Sequence, residues 1–160
     1  MRVVEPRYFG AEGKELPADA PAEAIAVSVY DIPIQKGIRF APHPAFAKDK
    51  NGHFLYHDLP YEEAKTKRNP DDFAERGTRE LTAHDYVHSI RRIASPRVVS
   101  PILGTMSDHI VGLEELARTL REKDRLLREK EGNDAYLNID DVPFKGAEAL
   151  DDHTLRIRVK

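Results

Sequence analysis

The chain has 160 residues, with 25 Lys and Arg against 28 Asp and Glu and a formal net charge of −3. This length suits one domain with a core of its own, and the charge lacks the strongly basic balance of nucleic-acid-binding proteins. Cysteine is absent, which excludes disulfides, cysteine-ligated zinc, iron–sulfur clusters and thiol nucleophiles. We therefore expect a single domain over residues 1–160 that binds no nucleic acid.

No stretch approaches the roughly 18 consecutive apolar residues of a membrane-spanning helix. Residues 1–6 also lack the apolar segment of a signal peptide. A complete chain of this kind is expected in the cytoplasm, whereas for a chain cut from a longer one the missing signal carries no information about location.

The first part of the chain predicts one strand. Residues up to about 21 have no clear period and are expected to be an extended lead-in with a turn at 10–13. Residues 24–34 are rich in β-branched side chains, which predicts a strand. Pro33 cannot donate to a sheet, so the strand ends there or lies at an edge. The short run 38–40 is expected to pair back with it.

Residues 41–78 interrupt the regular patterns. Four prolines and an Asn51-Gly52 turn signal predict a long loop with a small hairpin at that turn. A loop of this length inside a compact domain is typical of an insertion or a functional segment.

Two or three helices follow. Thr82 and Asp85 have capping-box spacing and predict a helix whose apolar side holds Tyr86, Ile90 and Ile93, with Arg91-Arg92 facing outward. Ser95-Pro96 is expected to end it. Ser100-Pro101 predicts a restart with Ser as the N-cap, and Gly112 is a candidate break. A leucine stripe then runs to the Gly132-Asn133 stop, and its members are Leu113, Leu116, Leu120 and Leu127.

The end of the chain predicts a hairpin. Residues 144–149 and 154–159 flank a turn at 151–153, and the second strand alternates apolar and basic residues. The order of elements predicts an α+β fold, with a small, mostly antiparallel sheet packed against two or three helices and a long loop insertion. Because the last strand runs to the final residue, the pattern also favours a chain cut from a longer one.

Candidate chemistry is sparse. His84 and His88 have the spacing of a zinc pair on a helix, with no third ligand placed by spacing. The leucine stripe over residues 113–127 suits either a helix on its own sheet or a docking surface for a partner. There is no nucleophile elbow and no glycine-rich phosphate loop. The residues alone give no support for an enzyme or for a cofactor.

Three segments carry a family resemblance. Residues 77–92 read G-T-R-E-L-T-A-H-D-Y-V-H-S-I-R-R, and residues 149–157 read A-L-D-D-H-T-L-R-I. Upstream, residues 30–40 resemble the strand and turn that precede the helix in the family and end in K-G-I-R-F at residues 36–40. With Ser95-Pro96 and Val99-Ser100-Pro101 between them, the ordered set resembles the oligopeptide-type (family 5) extracellular solute-binding proteins. These are the substrate-binding components of bacterial ABC importers.

The resemblance implies a domain from the first lobe of a larger, two-lobed periplasmic protein. Its partners would be a peptide or other small solute in the full-length protein and an ABC permease, and the isolated domain is a possible homodimer. Ile102 occupies a position where the family has an aromatic ligand contact, so it is the one candidate ligand-binding residue. His88 also departs from an aromatic position of the family.

Two alternatives stay open at this point. One is a stand-alone cytoplasmic protein–protein adaptor that docks through the leucine stripe of residues 113–127. The other is a metal-dependent hydrolase built around His84 and His88.

Overall fold

The structure is a computed structural model that describes residues 4–160 and divides into two compact units. The first unit contains residues 4–34 and 82–160, and the second is Gln35–Leu81. The second unit contains the whole of the predicted 41–78 insertion. Among the described residues, no helix is both long enough and apolar enough to cross a membrane.

The first unit is an antiparallel sheet with three helices. Its helices are α2 (Ala83–Ile93), α3 (Leu103–His109) and α4 (Leu113–Glu131), and the short α1 (Tyr61–Ala64) belongs to the second unit. The strands are β1 (Arg7–Phe9), β2 (Glu15–Leu16), β3 (Val27–Pro33), β4 (Ala147–Asp151) and β5 (Thr154–Val159). Their order is β2-β1-β3-β5-β4, and every neighbouring pair is antiparallel. The predicted α+β fold is confirmed.

The central strand is β3. It pairs with β1 on one side and β5 on the other, so Pro33 ends the strand rather than marking an edge. The lead-in prediction was wrong, because β1 and β2 form a hairpin closed by the expected turn, where the Gly13 amide donates to the Gly10 carbonyl. These strands have three and two residues, which is too short to show an alternating pattern.

The run 38–40 does not pair back with β3. Arg39 forms an isolated bridge with Glu80, and the Phe40 amide donates to the Arg79 carbonyl, all within the second unit. The expected small hairpin is present, since Lys48 pairs with Phe54 across the Asn51-Gly52 turn.

Helix α2 begins as predicted and buries a different side. The capping box forms, with the Thr82 amide donating to Asp85 Oδ2 at 2.8 Å. Ile90 packs against the core and Arg92 is exposed, as predicted. However, Tyr86 is 41% exposed and Arg91 is only 9% exposed, so the prediction was wrong for these two side chains. Successive helical residues turn by about 100°, which places Val87 and Arg91 one above the other. The buried stripe is therefore centred about one residue further along the helix than the apolar pattern suggested.

The next helix starts later than predicted. Pro101 and Ile102 form a turn, the N-cap position is Ile102 without a side-chain cap, and α3 begins at Leu103. The Leu103 amide bonds to the Ser100 carbonyl at 3.3 Å, so the backbone of Ser100 rather than its hydroxyl closes this turn. The Gly112 break is confirmed, since its φ of 74° ends the preceding turn and opens α4.

The core lies between α4 and the segment that leads into β4. The stripe residues Leu113, Leu116 and Leu120 are at most 1% exposed. The other fully or nearly buried members of this cluster are Ala94, Ile110, Ala117, Leu137, Ile139, Val142, Phe144 and Ala147. Helix α4 ends at the predicted Gly132, and the β4–β5 hairpin turns at the predicted residues, where the His153 amide bonds to Asp151 Oδ1 at 2.7 Å.

Candidate functional site

Ile102, the predicted ligand contact, lies in the turn before α3. Its side chain is 51% exposed, and its neighbour Val99 is 98% exposed. An isoleucine offers no hydrogen-bonding group, so this position can contribute only apolar contact. It does not line any of the three clefts described below.

The two histidines of the predicted metal pair each face a separate carboxylate. His84 Nε2 lies 3.6 Å from Asp152 Oδ1, and His88 Nδ1 lies 2.9 Å from Asp140 Oδ2. Within residues 4–160, no group of three or more His, Asp or Glu side chains is arranged to hold a metal ion. The geometry therefore supplies no ligand set for the hydrolase hypothesis in that part of the chain.

The leucine stripe is not a surface. Leu113, Leu116 and Leu120 are buried in the core of the first unit, and Leu127 is half-buried against it. A partner cannot reach these side chains in the folded chain. The folded first unit therefore offers no exposed leucine stripe for the docking that the adaptor hypothesis requires.

A network of ion pairs covers one face of the sheet. Arg156 binds Asp31 through two hydrogen bonds of 2.6 and 2.7 Å, and Arg7 approaches the same carboxylate at 3.5 Å. These hydrogen bonds from Arg156 hold the pKa of Asp31 below its ordinary value. Arg158 is paired with Glu148 on the neighbouring strand. The network joins strands that are far apart in sequence.

A shallow cleft of about 350 Å³ lies on this same face. Its cationic lining residues are Arg7, Arg156 and Arg158, and each of them already has a carboxylate partner. The positive charge of the cleft is therefore neutralised by the chain itself. These ion pairs link neighbouring strands, so the arrangement suits stabilisation of the sheet better than binding of an anionic ligand.

A larger cleft of about 490 Å³ lies wholly within the second unit. Tyr56 and Phe73 meet inside it with ring centroids 4.8 Å apart, and Lys67 Nζ lies 5.6 Å from the Phe73 ring. A neighbouring cleft of about 360 Å³ shares Pro44, Ala45 and Tyr56 with it. The complete lining of the larger cleft is His43, Pro44, Ala45, Tyr56, Leu59, Ala64, Lys67, Arg68, Asn69, Pro70 and Phe73.

Sequence reasoning missed this larger cleft. Its lining comes from a segment with no helical or strand period, and short turns rather than long elements position it. The segment Pro70–Asp72 is a single helical turn capped by Asn69, and Pro44–Phe46 is another, capped by His43. The available signal was an Asn-Pro pair, which is typical of a capped turn, and a second proline after His43 that suits the first position of a helical turn.

Comparison with known proteins finds no protein-family model, no curated protein and no solved structure that matches the chain.

Proposed function

We propose that the chain is part of the periplasmic substrate-binding component of an oligopeptide ABC importer, in which it forms a non-catalytic, mainly structural domain. The observation that carries this proposal is the order of the three motif segments, at residues 36–40, 77–92 and 149–157. Each motif is weak by itself, and their common order along the chain gives them weight together.

The contacts among these segments support the proposal. The Ala83 amide, at the start of α2, donates to the carbonyl of Asp152 in the β4–β5 turn at 2.8 Å. Strand β3, which precedes the first motif, pairs with β5 from Ser28 to Pro33. The part of the 77–92 motif that forms α2 and the 149–157 motif thus pack together in the first unit, whereas residues 36–40 and 77–81 belong to the second unit.

On this proposal the full-length protein closes two lobes around a peptide or other small solute and delivers it to a membrane permease. The apolar and half-exposed Ile102 adds at most a side contact to that ligand. The charged groups of the sheet face are paired within the chain, which suits a domain that stabilises a lobe and contributes little to recognition.

Cell fractionation tests this proposal directly. An antibody raised against the chain is used to blot the periplasmic, membrane and cytoplasmic fractions of the source cells. A band several times larger than 18.2 kDa in the periplasmic or membrane fraction is the expected result. A cytoplasmic band at the mass of the chain itself would overturn the proposal.

A further inference from the structure

The larger cleft of the second unit has an apolar wall and a volume large enough for a small molecule. Pro44, Leu59, Ala64 and Phe73 line it, and its volume of about 490 Å³ falls in the range of roughly 300–1,000 Å³ that is typical of small-molecule sites. The edge-to-face contact of Phe73 with Tyr56, at an interplanar angle of 65°, fixes the two rings against each other. This wall suits the apolar body of a small organic molecule.

The neutral polar side chains of the cleft have hydrogen-bond donors to spare. His43 Nδ1 accepts from the Ala45 amide at 3.1 Å, so the neutral ring carries its proton on Nε2. Asn69 Oδ1 accepts from a backbone amide at 2.8 Å, which leaves its NH₂ group. The Tyr56 hydroxyl oxygen accepts from the amide of Glu75 at 3.0 Å and keeps its own proton to donate.

The charged side chains of the cleft are both cationic. Lys67 Nζ donates one hydrogen bond, to the Asp72 carbonyl at 3.2 Å, and has further protons to donate. Arg68 also lines the cleft, and its guanidinium forms no ion pair within residues 4–160. No Asp or Glu lines the cleft.

The two carboxylates between the lining residues Pro70 and Phe73 have other partners. Asp72 Oδ2 accepts from the backbone amides of Arg68 and Asn69 at 2.7 and 3.2 Å. Asp71 forms an ion pair with Arg76 at 2.6 Å. Unlike the cleft on the sheet face, this one keeps its positive charge available.

An occupant that satisfies this lining must bring hydrogen-bond acceptors, negative charge and an apolar body. We propose that the cleft is a binding site for a small organic carboxylate with an aromatic or bulky aliphatic body. The Arg68 guanidinium is the main anchor, because its planar fork matches a carboxylate with two parallel hydrogen bonds. The apolar body lies against Phe73 and Leu59. The proposal concerns residues 43–73 alone and does not depend on the proposed transport function.

The experiment is an NMR titration of the full ¹⁵N-labelled chain with benzoate and 2-naphthoate. Saturable shifts are expected at the Asn69 side-chain amide and at the backbone amides of Ala45 and Arg68. Two ligands of similar shape serve as controls: neutral benzamide is expected to bind at least about tenfold more weakly, and cationic benzylamine to cause no saturable shift, because hydrogen bonds to charged groups are the stronger ones.

A pair of matched variants tests the anchor. Arg68→Gln is expected to weaken benzoate binding about tenfold, since it removes the charge-assisted pair. Arg121→Gln makes the same charge change on an exposed residue of α4, far along the chain from the cleft residues, and is expected to leave the affinity unchanged. The Arg68 side chain is exposed, so the variant is expected to fold normally, which its ¹⁵N spectrum checks.

Any one of four results would overturn the proposal. The first three are the absence of saturable shifts with both carboxylates, equal affinity for benzoate and benzamide, and unchanged benzoate affinity in Arg68→Gln. Inorganic phosphate that competes as effectively as benzoate would also contradict it, because the apolar wall would then contribute nothing.

Discussion

Arg91 shows how a single side chain can serve the core of this protein. It is 9% exposed, and its Nη1 atom donates to the carbonyls of Ile139 and Val142 at 3.1 and 2.7 Å. Its guanidinium also lies 5.5 Å from the Phe144 ring. These contacts satisfy two backbone acceptors in a segment, residues 132–146, that has no helix or strand to satisfy them.

Replacement of Arg91 tests this role. Arg91→Met keeps much of the side-chain length and removes the donors, so two buried carbonyls lose their partner. We expect the free energy of unfolding to fall by about 2–4 kcal/mol, measured by urea unfolding followed by circular dichroism. Arg92→Met, one residue along and exposed, is the control and is expected to change it by less than about 0.5 kcal/mol. Equal losses would show that the buried hydrogen bonds contribute nothing specific.

Asp31 makes stability depend on pH in the acid range. Its pKa in the folded chain is lowered from the ordinary 3.8, mainly by the hydrogen bonds from Arg156, with Arg7 adding to the effect. Because the folded state holds this proton less tightly than the unfolded state, the stabilisation is fully present above the ordinary pKa. It is lost as the pH falls through the folded value.

The Asp31→Asn variant isolates this contribution. The difference in unfolding free energy between the natural chain and the variant is expected to be constant from pH 7 down to about 5 and to shrink below a pH of about 3.8. Urea unfolding at a series of pH values measures it. Other carboxylates titrate in both proteins and cancel in the difference, so a difference that stays constant down to pH 2 would contradict the assignment.

At the scale of elements, α4 combines a buried stripe with a heavily charged outer surface. Asp124 is the exception on its inner side. Burial raises the pKa of this carboxyl, and hydrogen bonds from Arg97 at 2.7 Å and Arg128 at 2.8 Å outweigh that effect and lower it. The ion pair between Arg97 and Asp124 links the loop after α2 to α4. Helix α4 therefore stabilises its surroundings in two ways, through apolar packing in the core and through this ion pair with an irregular segment.

A pair of leucines on α4 separates core packing from surface exposure. Leu116→Ala is expected to cost about 2–5 kcal/mol of unfolding free energy, since its side chain is 1% exposed and a cavity would remain. Leu126→Ala removes the same atoms from a residue that is 51% exposed and is expected to cost less than about 1 kcal/mol. Chemical denaturation of both variants measures the contrast, and equal losses of unfolding free energy in the two variants would contradict the role of Leu116 in the core.

At the scale of the whole molecule, the chain contains two compact units with different means of support. The first has a sheet and a leucine-rich core. The second is held by single bridges, short capped turns and side-chain contacts, such as that of the Arg79 guanidinium with the adjoining rings of Phe40 and Phe46. We expect a destabilising substitution in one unit to reduce amide protection in that unit and to leave the other unit unchanged.

Two glycines test that expectation. A Cβ atom at Gly77 would lie 2.0 Å from the Phe46 carbonyl oxygen, and one at Gly146 would lie 2.2 Å from that of Val111. Each change to Ala therefore costs at least about 1–3 kcal/mol in its own unit. Hydrogen exchange is expected to show lost amide protection within Gln35–Leu81 for Gly77→Ala and within the β4–β5 region for Gly146→Ala. Equal loss in both units for either variant would show a single cooperative unit instead.

The sequence was most informative where local chemistry decides the structure. The Thr82–Asp85 box, the Gly112 break, the Gly132 stop and the hairpin turn at Asp151 follow from hydrogen bonds and backbone angles within a few residues. The α+β class followed from the order of these local patterns. None of these features depends on contacts with distant parts of the chain.

The tertiary structure decided what long-range contacts determine. Arg91 is buried because it donates hydrogen bonds to carbonyls about 50 positions later in the chain. The run 38–40 forms its backbone bridge with Glu80, at the other end of the second unit's segment, and this partner cannot be read from the run itself. The donor-lined cleft likewise gathers His43, Tyr56 and Arg68 from turns that have no period of their own. A local pattern fixes the conformation of a segment, whereas the identity of its neighbours depends on which distant groups need to be buried or hydrogen-bonded.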